Sequence, residues 1–429
     1  MKVAFYTLGC KVNQYETDLM IKNFKEHGYD IVDFDSVADI YVVNSCSVTN
    51  MSTRKTRQHL SRAKKHLGTV VLCGCYAEEI KDKCDIKNVD IVLGNEEKKD
   101  IVKYVEEYLN KRDKKPVYKI SDIGSVKKYV QTGNLQKGLQ IRESVKIEDG
   151  CNNFCTYCII PYLRGRVRSR DINDIIEEIK SLADSGVREV VIVGIEIASY
   201  GKDLKENLNL VDVVERVSKI DGIKRVRLGS LEPRVLTDEN IERLSKIEKL
   251  CSHFHLSVQS LDSNVLKRMN RKYDAKFVMD RIDTLRKYFD GPAITCDIIV
   301  GFPQETDEEY NNTLKNAEKI GFSDMHVFKY SKRKYTIAAK MDGQIDGNLK
   351  HERSQKLIEV GKKSALEYKQ KYLGKKLKVL FESFDDDGYI YGYTSNYLKV
   401  KVRGDKKLCQ KVLEVELVSI EKDLILGEL

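Results

Sequence analysis

Long apolar runs are missing from this chain of 429 residues. No stretch approaches the roughly 20 consecutive apolar residues that a membrane-spanning helix needs. The N-terminal stretch, MKVAFYTLGC, has the pattern of a strand and lacks the features of a signal peptide. Short-period repeats and low-complexity tracts are absent as well. We therefore expect a cytoplasmic protein that has no membrane partner.

Cysteines are numerous for a chain without a secretion signal. The sequence contains eleven, and an intracellular protein keeps such thiols reduced, so the count favours metal binding over a disulfide framework. Hydrophobic residues make up 41% and charged residues 33%, as in ordinary folded proteins. A chain of this length is expected to form two or three domains.

Acidic residues are missing from segment 54–66, which contains six lysines and arginines. Two other stretches are similarly basic. The motif RGRVRSR has four arginines, and segment 399–411 has six basic residues against Asp405. Such blocks are most often solvated surface, but three of them in one chain fit a polyanionic partner.

The order of strand and helix patterns predicts an α/β protein. The strand-like runs KVAFYTL, IYVVNS, TVVLCG and DIVLG alternate with helix-like runs, which predicts an open parallel-sheet domain. From about residue 141, six strand–helix units predict a partial (β/α)6 barrel, and the alternating tail predicts a small antiparallel β-barrel. We expect three domains and one linker with these bounds: 1–112, 113–136 (linker), 137–370 and 371–429.

Three cysteines follow the first strand of the predicted barrel with the spacing CxxxCxxC: Cys151, Cys155 and Cys158. No nearby side chain completes a tetrahedral site, and a four-iron cubane held by three thiolates leaves one iron open to a small molecule. A zinc site with a distant fourth ligand, or structural cysteines, are the alternatives. The loop resembles the radical S-adenosylmethionine superfamily, whose motif has an aromatic residue before the third cysteine, here Tyr157. The resemblance implies a 4Fe–4S cluster whose open iron binds S-adenosylmethionine.

Other strand ends of the predicted barrel carry polar or small residues, and sites in such folds lie at the carboxyl ends of the strands. In the superfamily that the loop resembles, an acid in the place of Glu196 often holds the amino group of the cofactor. A plain surface glutamate is the alternative. The remaining strand-end residues together predict a lined cofactor pocket: Ser230, Glu232, Gln259, Ser260, Asp297 and Gly301.

A second set of three cysteines lies in the N-terminal domain: Cys10, Cys46 and Cys75. Each follows a predicted strand, and neighbouring parallel strands can bring them together, although scattered buried cysteines are common. The sequences around them, TLGCKVNQYE, VNSCSVT and CGCYAEE, closely resemble the N-terminal domain of the methylthiotransferases. This resemblance covers the whole chain, with RGRVRSR, RMNRKY and GFPQET in the core and a terminal barrel like the TRAM module. It implies an auxiliary 4Fe–4S cluster on these cysteines and no ligand role for the others: Cys73, Cys84, Cys251, Cys296 and Cys409.

The resemblance implies a methylthiotransferase that uses two 4Fe–4S clusters and S-adenosylmethionine. The motif TLGCKVN followed by Gln14-Tyr15-Glu16 resembles the branch that modifies carbon 2 of N6-threonylcarbamoyladenosine at position 37 of tRNA. The implied partners are the tRNA anticodon loop and a reducing electron donor such as flavodoxin or ferredoxin, and we expect a monomer. The alternatives are methylthiolation of isopentenyladenosine in tRNA or of a ribosomal protein, and a non-catalytic iron–sulfur RNA-binding protein.

Basic and polar residues at four places in the sequence are expected to contact the RNA. They flank the first auxiliary cysteine, fill the arginine-rich motif, precede Lys334, and line the basic strip of the terminal module: Lys11, Asn13, Arg164, Arg166, Arg168, Arg170, Lys332, Arg333, Lys399, Lys401 and Arg403. Relatives commonly have proline or glycine where this chain has Lys334 and Tyr335. The chain therefore departs from the family's pattern in this substrate-contacting loop.

Overall fold

The computed structural model describes residues 1–81, 86–129, 133, 135 and 140–429, and these form two compact units. The first unit is built from three segments: Met1–Leu135, Lys146–Asp171 and Ser331–Ala339. The second unit is built from three others: Gln136–Val145, Ile172–Tyr330 and Lys340–Leu429. Both sets of three cysteines therefore belong to the first unit.

The first unit is built around a parallel sheet of six strands in the order β2-β1-β3-β4-β5-β6. The strands are β1 (Lys2–Thr7), β2 (Asp30–Val32), β3 (Ile40–Ser45), β4 (Thr69–Gly74), β5 (Ile91–Leu93) and β6 (Val117–Lys119). The helices are α1 (Lys11–Glu26), α2 (Asn50–Lys64), α3 (Cys75–Glu79) and α4 (Ile101–Leu109). The expected open α/β sheet is confirmed.

Helices cover both faces of this sheet, and for that reason its central strands are buried and largely apolar. Every residue of β3 is buried, as expected for a parallel strand with helices on each side. Phe24 of α1 packs on one face, and Leu60 of α2 packs on the other. Sequence reasoning missed β2 and β6, because three residues are too few to show a strand period. The second of these lies in the segment expected to be a linker.

One strand, β7 (Arg142–Asp149), begins in the second unit and ends in the first. It leads into the CxxxCxxC loop, α5 (Ile160–Arg164) and β8 (Arg168–Ser169), which pairs antiparallel with the end of β7. The elements that hold the three cysteines of this loop thus belong to the same unit as the N-terminal sheet.

The second unit contains the rest of the strand–helix array. Its strands are β9 (Glu189–Gly194), β10 (Arg225–Leu228), β11 (Ser230–Leu231), β12 (His253–Gln259), β13 (Ala293–Val300) and β14 (Asp324–Lys329). Its helices are α6 (Ile172–Asp184), α7 (Leu210–Ser218), α8 (Asp238–Ser245), α9 (Ser263–Arg268), α10 (Ala275–Tyr288), α11 (Asp307–Ile320) and α12 (Gly347–Gln370). Strand β9 pairs with β10, and β11 to β14 pair in sequence order, all parallel. The six predicted strands of the array are confirmed.

The C-terminal residues form a closed barrel in the order β15-β16-β17-β19-β18. The strands are β15 (Lys376–Phe384), β16 (Tyr389–Thr394), β17 (Lys399–Arg403), β18 (Val412–Glu421) and β19 (Leu424–Glu428). The predicted small β-barrel is confirmed, and its pairings are antiparallel except for the parallel pair β17–β19. Arginines of β10 hold it in place, since Arg225 donates to the Tyr393 carbonyl over 2.6 Å and Arg227 donates to the Ser395 carbonyl over 3.0 Å.

Among the described residues, no helix combines the length and the apolar character that crossing a membrane requires.

Candidate active site

The CxxxCxxC loop closes tightly at the end of β7. Gly150 has φ +85°, and a Cβ there would lie 2.0 Å from the Arg166 carbonyl oxygen, so only glycine fits at this crossing. The Cys151 amide donates to the Gly165 carbonyl over 3.1 Å and fixes the first cysteine against the return of the chain. Two of the loop's thiols are buried: Cys151 and Cys155. The residues that follow are half-buried: Tyr157 and Cys158.

The other three cysteines follow neighbouring strands of the first sheet. Cys10 begins the turn into α1 after β1, Cys46 follows β3, and Cys75 begins α3 after β4. Gly9, at φ +105°, lets the first of these loops approach closely, since a Cβ there would lie 3.0 Å from the Cys46 Sγ. Burial, together with the nearby thiols of Cys46 and Cys10, raises the pKa of Cys75 to about 11 although Arg164 acts in the opposite direction. This is the arrangement expected from the carboxyl ends of three neighbouring parallel strands.

Cys73, two residues before Cys75, lies in a different environment. Its side chain is fully buried in the core on the α1 and α4 face of the sheet. The Sγ lies 3.8 Å from the Val43 carbonyl and from Asn44 Oδ1, and burial raises the pKa of the thiol to about 12. Cys73 therefore packs as a small apolar residue.

The remaining described cysteines belong to the second unit, whereas both sets of three belong to the first. Cys251 and Cys296 are buried, and burial raises the pKa of each thiol. Cys409 is half-buried in the terminal barrel, and Cys84 lies outside the described residues. None of the ten described cysteines forms a disulfide.

Arg164, at the end of α5, is fully buried and joins the two cysteine regions. Its guanidinium donates to Glu16 of α1 over 2.6 and 3.0 Å and to Asn13 Oδ1 over 2.6 Å. The Asp149 carboxylate lies 3.2 Å from the same guanidinium, and Lys146 bridges the two acids at 2.6 and 2.8 Å. The result is a buried, closely charge-balanced cluster, and only such pairing makes buried charge tolerable.

The protonation states in this cluster follow from its geometry. Burial alone would raise the pKa of Glu16, but the charges of Arg164, Lys146 and Lys98 hold it well below its ordinary value. Burial also opposes ionisation of Asp149, yet Lys146 and Arg164 lower its pKa to about 2. Both carboxylates are therefore ionised at neutral pH. Sequence reasoning missed the pairing of these acids with the arginine motif, because only the fold brings them together.

The arginine motif is mostly internal, which differs from the substrate-contacting role expected for it. Arg168 donates to the Arg164 carbonyl over 2.8 Å, and Arg170 donates to the Lys146 carbonyl over 3.3 Å, both nearly free of solvent exposure. Only Arg166 is exposed, and its guanidinium lies 4.5 Å from the ring centroid of Phe154.

Two further residues expected to contact RNA are also structural. The Asn13 side chain is buried and donates to the Leu8 carbonyl over 2.7 Å and to the Ser45 carbonyl over 2.9 Å, whereas Lys11 is exposed. Arg333 is 4% exposed and forms a two-pronged ion pair with Glu79 at 2.9 and 3.0 Å. The Asn13 amide and the Arg333 guanidinium therefore both form contacts inside the first unit.

In the second unit, the half-buried Glu196 follows β9. Burial and the Glu232 carboxylate, against the opposing charge of Arg271, raise the pKa of its carboxyl to about 7. A carboxyl with such a pKa is only partly ionised at neutral pH, which marks it as a candidate binding group. Glu232 itself is buried and accepts from the Arg234 side chain over 2.8 Å.

The other predicted cofactor contacts occupy strand ends of the same unit. Ser230 is exposed on β11, and Gln259 ends β12 with φ +70°. The Gly301 amide, just after β13, donates to the buried Glu305 carboxylate over 2.7 Å. Ser260 is buried and lies 3.2 Å from the Thr313 hydroxyl.

Asp297 of β13 is held by two histidines that sequence reasoning did not single out. His255 Nε2 lies 3.1 Å from one carboxylate oxygen, and His326 Nδ1 lies 3.2 Å from the other. Burial alone would raise the pKa of Asp297, but these hydrogen bonds lower it to about 2. Thr295 lies 2.8 Å from His255 Nδ1 and fixes the ring. The available signal was the alternation of β12 and β14, which places both histidines on the same sheet face as Asp297.

The terminal barrel presents basic side chains over aromatic rings. Lys401 lies 5.0 Å and Arg403 5.9 Å from the Tyr389 ring centroid, and Lys399 lies 6.0 Å from that of Tyr391. These alternate residues of β17 share one face of the strand. Cations and aromatic rings on one surface suit a nucleic acid, which offers phosphates and stackable bases.

Comparison with known families agrees with this architecture. Residues 145–317 match the family model described as the Radical SAM superfamily, and residues 2–94 match the uncharacterized protein family UPF0004. A solved radical S-adenosylmethionine methyltransferase, TsrM from Kitasatospora setae, shares the fold with a TM-score of 0.57 at 12% identity, over 79% of this chain and 75% of that one. The fold and the first match define a radical S-adenosylmethionine protein.

Curated relatives match over nearly the full length. The threonylcarbamoyladenosine tRNA methylthiotransferase MtaB of Bacillus subtilis is 40% identical over 97% of this chain and 93% of its own. The protein of the same name from Aquifex aeolicus is 36% identical over 95% and 98%. The tRNA-2-methylthio-N(6)-dimethylallyladenosine synthase of Clostridium perfringens is 32% identical over 99% and 96%. The chain belongs to the radical S-adenosylmethionine tRNA methylthiotransferases, in the threonylcarbamoyladenosine branch. The predicted family and branch are confirmed.

Replacing Arg164 by leucine tests the buried cluster. Removing one partner of a buried ion pair leaves uncompensated charge, here on Glu16 and Asp149, and costs about 3–5 kcal/mol. We expect a thermal unfolding midpoint several degrees lower for Arg164→Leu, measured by circular dichroism on reconstituted protein. The matched control, Arg166→Leu in the same motif, removes an exposed charge and should change the midpoint little. Equal midpoints for the two variants would contradict the cluster's structural role.

Proposed function

We propose that this protein attaches a methylthio group to carbon 2 of N6-threonylcarbamoyladenosine in tRNA. The observation that carries this function is the similarity to threonylcarbamoyladenosine tRNA methylthiotransferases, at 36–40% identity over 94–97% of the chain. The relatives named for dimethylallyladenosine match at 32–34% identity, which makes that nucleoside the second candidate.

The cofactors are S-adenosylmethionine and two 4Fe–4S clusters, and the thiols present fit them. Cys10, Cys46 and Cys75 lie close enough for their thiols to influence one another, and Cys73 packs into the core on the α1 and α4 face of the sheet. Three thiolates are the set that leaves one iron of a cubane open. The second set is Cys151, Cys155 and Cys158, next to which Tyr157 contacts the cofactor. When bound, these groups supply the methyl group, the sulfur site and the radical that activates the substrate C–H bond.

The protein's own residues prepare the sites for these groups. Because Cys75 is protonated in the metal-free protein, cluster binding must release its proton, and nearby Arg164 favours that release. In the second unit, Glu196 accepts hydrogen bonds from the amino group of S-adenosylmethionine, which favours its ionised form. The other cofactor contacts that we propose in that unit are Ser230, Glu232, Gln259, Asp297 and Gly301.

The tRNA is held by its anticodon loop, with position 37 as the target. Lys399, Lys401 and Arg403 of the terminal barrel contact its phosphates, and their tyrosine neighbours offer stacking surfaces. Of the three domains, 1–112 holds the auxiliary cluster, 137–370 carries out the radical chemistry and 371–429 binds RNA.

We further propose that the protein is a cytoplasmic monomer and that a flavodoxin or ferredoxin reduces it.

A competition between two tRNAs tests the substrate. One carries threonylcarbamoyladenosine and the other isopentenyladenosine at position 37, and both are offered to the reconstituted, reduced enzyme. We expect mass spectrometry of the digested nucleosides to find the methylthio group on the first only, because the carboxylate of the threonylcarbamoyl group demands polar partners that an apolar tail does not. Modification of the second tRNA would move the chain to the other branch, and modification of neither would refute the function.

Replacing by alanine, one at a time, the two cysteines that flank Gly74 tests the auxiliary site. Cys75→Ala should lower the iron content from about eight to about four per chain, since one of two four-iron clusters is lost. It should abolish methylthio transfer but leave reductive cleavage of S-adenosylmethionine. The matched control, Cys73→Ala, should keep the iron content, because that thiol is buried in the hydrophobic core on the α1 and α4 face of the sheet. The reverse pattern would assign the ligand to Cys73.

A further inference from the structure

An open groove of about 910 Å³ runs along the exposed face of α2 in the first unit. One wall carries cations at helical spacing, which places them on one face of the helix: Arg54, Arg57, Arg62 and Lys65. At 1.5 Å per residue, the first and last of these lie roughly 16 Å apart along the axis. The other wall is formed by residues 332–334. The basic segment 54–66 of the sequence is therefore one side of a groove, and a second basic segment closes it.

Buried contacts of the first unit hold the two walls of the groove in place. Thr56, Leu60 and Ala63 are buried beneath α2, so its basic face is held outward. Arg333 ties the two walls together, since it donates to Asn50 Oδ1 over 2.6 Å and pairs with Glu79. Among the residues that the structure describes, that glutamate is the one acid lining the groove, and its charge is cancelled by this buried arginine.

Of the remaining cations, Arg62 is exposed but pairs with Asp35, and three others face solvent without an acidic partner among the described residues. Within the part of the chain that the structure describes, Arg54, Lys65 and Lys332 are exposed and form no ion pair. Arg57 is oriented by a hydrogen bond of 2.8 Å to the Tyr76 hydroxyl. A row of cations over about three turns of a helix that has no acidic residue of its own fits the evenly spaced phosphates of a nucleic acid.

Exposed aromatic rings continue from the groove to the CxxxCxxC loop. Tyr335 is 41% exposed and Tyr162 is 40% exposed, and their ring centroids are 6.3 Å apart. Tyr335 has φ +70°, a strained backbone for a bulky residue and one that tends to occur at functional positions. The Ala338 amide donates to the Thr156 carbonyl over 2.9 Å, so the segment that carries Tyr335 is bonded to the cysteine loop itself.

We propose that this groove binds the phosphate backbone of the tRNA and that Tyr335 and Tyr162 stack against a base displaced from its loop. The inference rests on the proposed function and adds a second RNA surface to that of the terminal barrel. Phosphates in the groove fix the register of the RNA, and the rings place a base beside the cysteine loop. Bases of single-stranded RNA are recognised in this way, by stacking on aromatic side chains.

Removing three groove charges tests the phosphate contacts. The triple variant Arg54→Gln, Lys65→Gln, Lys332→Gln is compared with Lys25→Gln, Lys103→Gln, Lys111→Gln, which removes the same charge from exposed positions of the same unit outside the groove. Affinity for tRNA carrying threonylcarbamoyladenosine is measured by fluorescence anisotropy at several salt concentrations. We expect the groove variant to bind at least about tenfold more weakly at 0.1 M salt, with a salt slope smaller by roughly 2 to 3. Iron content and unfolding midpoint should match the wild type in both variants.

A second pair of variants tests the stacking surface. Tyr335→Leu should lower the affinity by about tenfold, and Tyr335→Phe should restore it, because stacking needs the ring and not the hydroxyl. Equal affinity of the two triple variants would overturn the groove assignment. So would binding of phosphatidylserine vesicles that is lost in the groove variant while tRNA affinity is kept. If the wild type binds the tRNA but does not modify it, the proposed function fails, and the affinity comparison still decides the groove.

Discussion

The buried contact between Arg164 and Glu16 is the interaction on which the functional geometry of the first unit depends. The two residues are 148 positions apart in the sequence. Their contact joins α1, which starts beside the first auxiliary cysteine, to α5, which ends the CxxxCxxC loop. A guanidinium that is shielded from solvent is tolerated only where carboxylates and amide oxygens surround it. The Arg164 side chain, and with it α5, can therefore shift little relative to α1. The spacing between the two cysteine sets is thus set by a packed charge cluster and not by flexible loops.

The same arginine also acts on the chemistry of the thiols. Burial raises the pKa of Cys75 to about 11, and Arg164 is the strongest influence in the opposite direction. A positive charge beside a thiol favours the thiolate that iron requires. Cys75 packs with Ile159 and Leu163 of the other cysteine region, so an apolar contact complements the ionic one. Two sets of three cysteines in one unit, which we propose as the ligands of two open-iron clusters, suit a reaction in which one cluster handles sulfur and the other generates a radical.

The sequence was sufficient to predict the main secondary-structure elements and the grouping of the thiols. It was not sufficient to predict which charged side chains are buried in ion pairs and which face solvent. Strand patterns and cysteine spacing are local signals, and they gave the parallel sheet, the six-strand array and the convergence of Cys10, Cys46 and Cys75. Whether an arginine meets solvent or a buried acid is decided by tertiary pairing, so the burial of Arg164 and Arg333 could not be foreseen. The histidines around Asp297 escaped notice for the same reason, because three strands must align before the contact exists. Likewise, the basic segment 54–66 forms one wall of a groove whose other wall is residues 332–334. No local pattern in the sequence links these two segments.

The most direct test of the central claim is nucleoside analysis of bulk tRNA from a strain that lacks this gene, with and without expression of the chain. We predict that the 2-methylthio derivative of N6-threonylcarbamoyladenosine disappears in the deletion strain, that its unmodified precursor accumulates, and that expression of the wild type restores the derivative. The 2-methylthio derivative of isopentenyladenosine should stay constant throughout. Persistence of the threonylcarbamoyl derivative in the deletion strain, or loss of the isopentenyl one, would contradict the assignment.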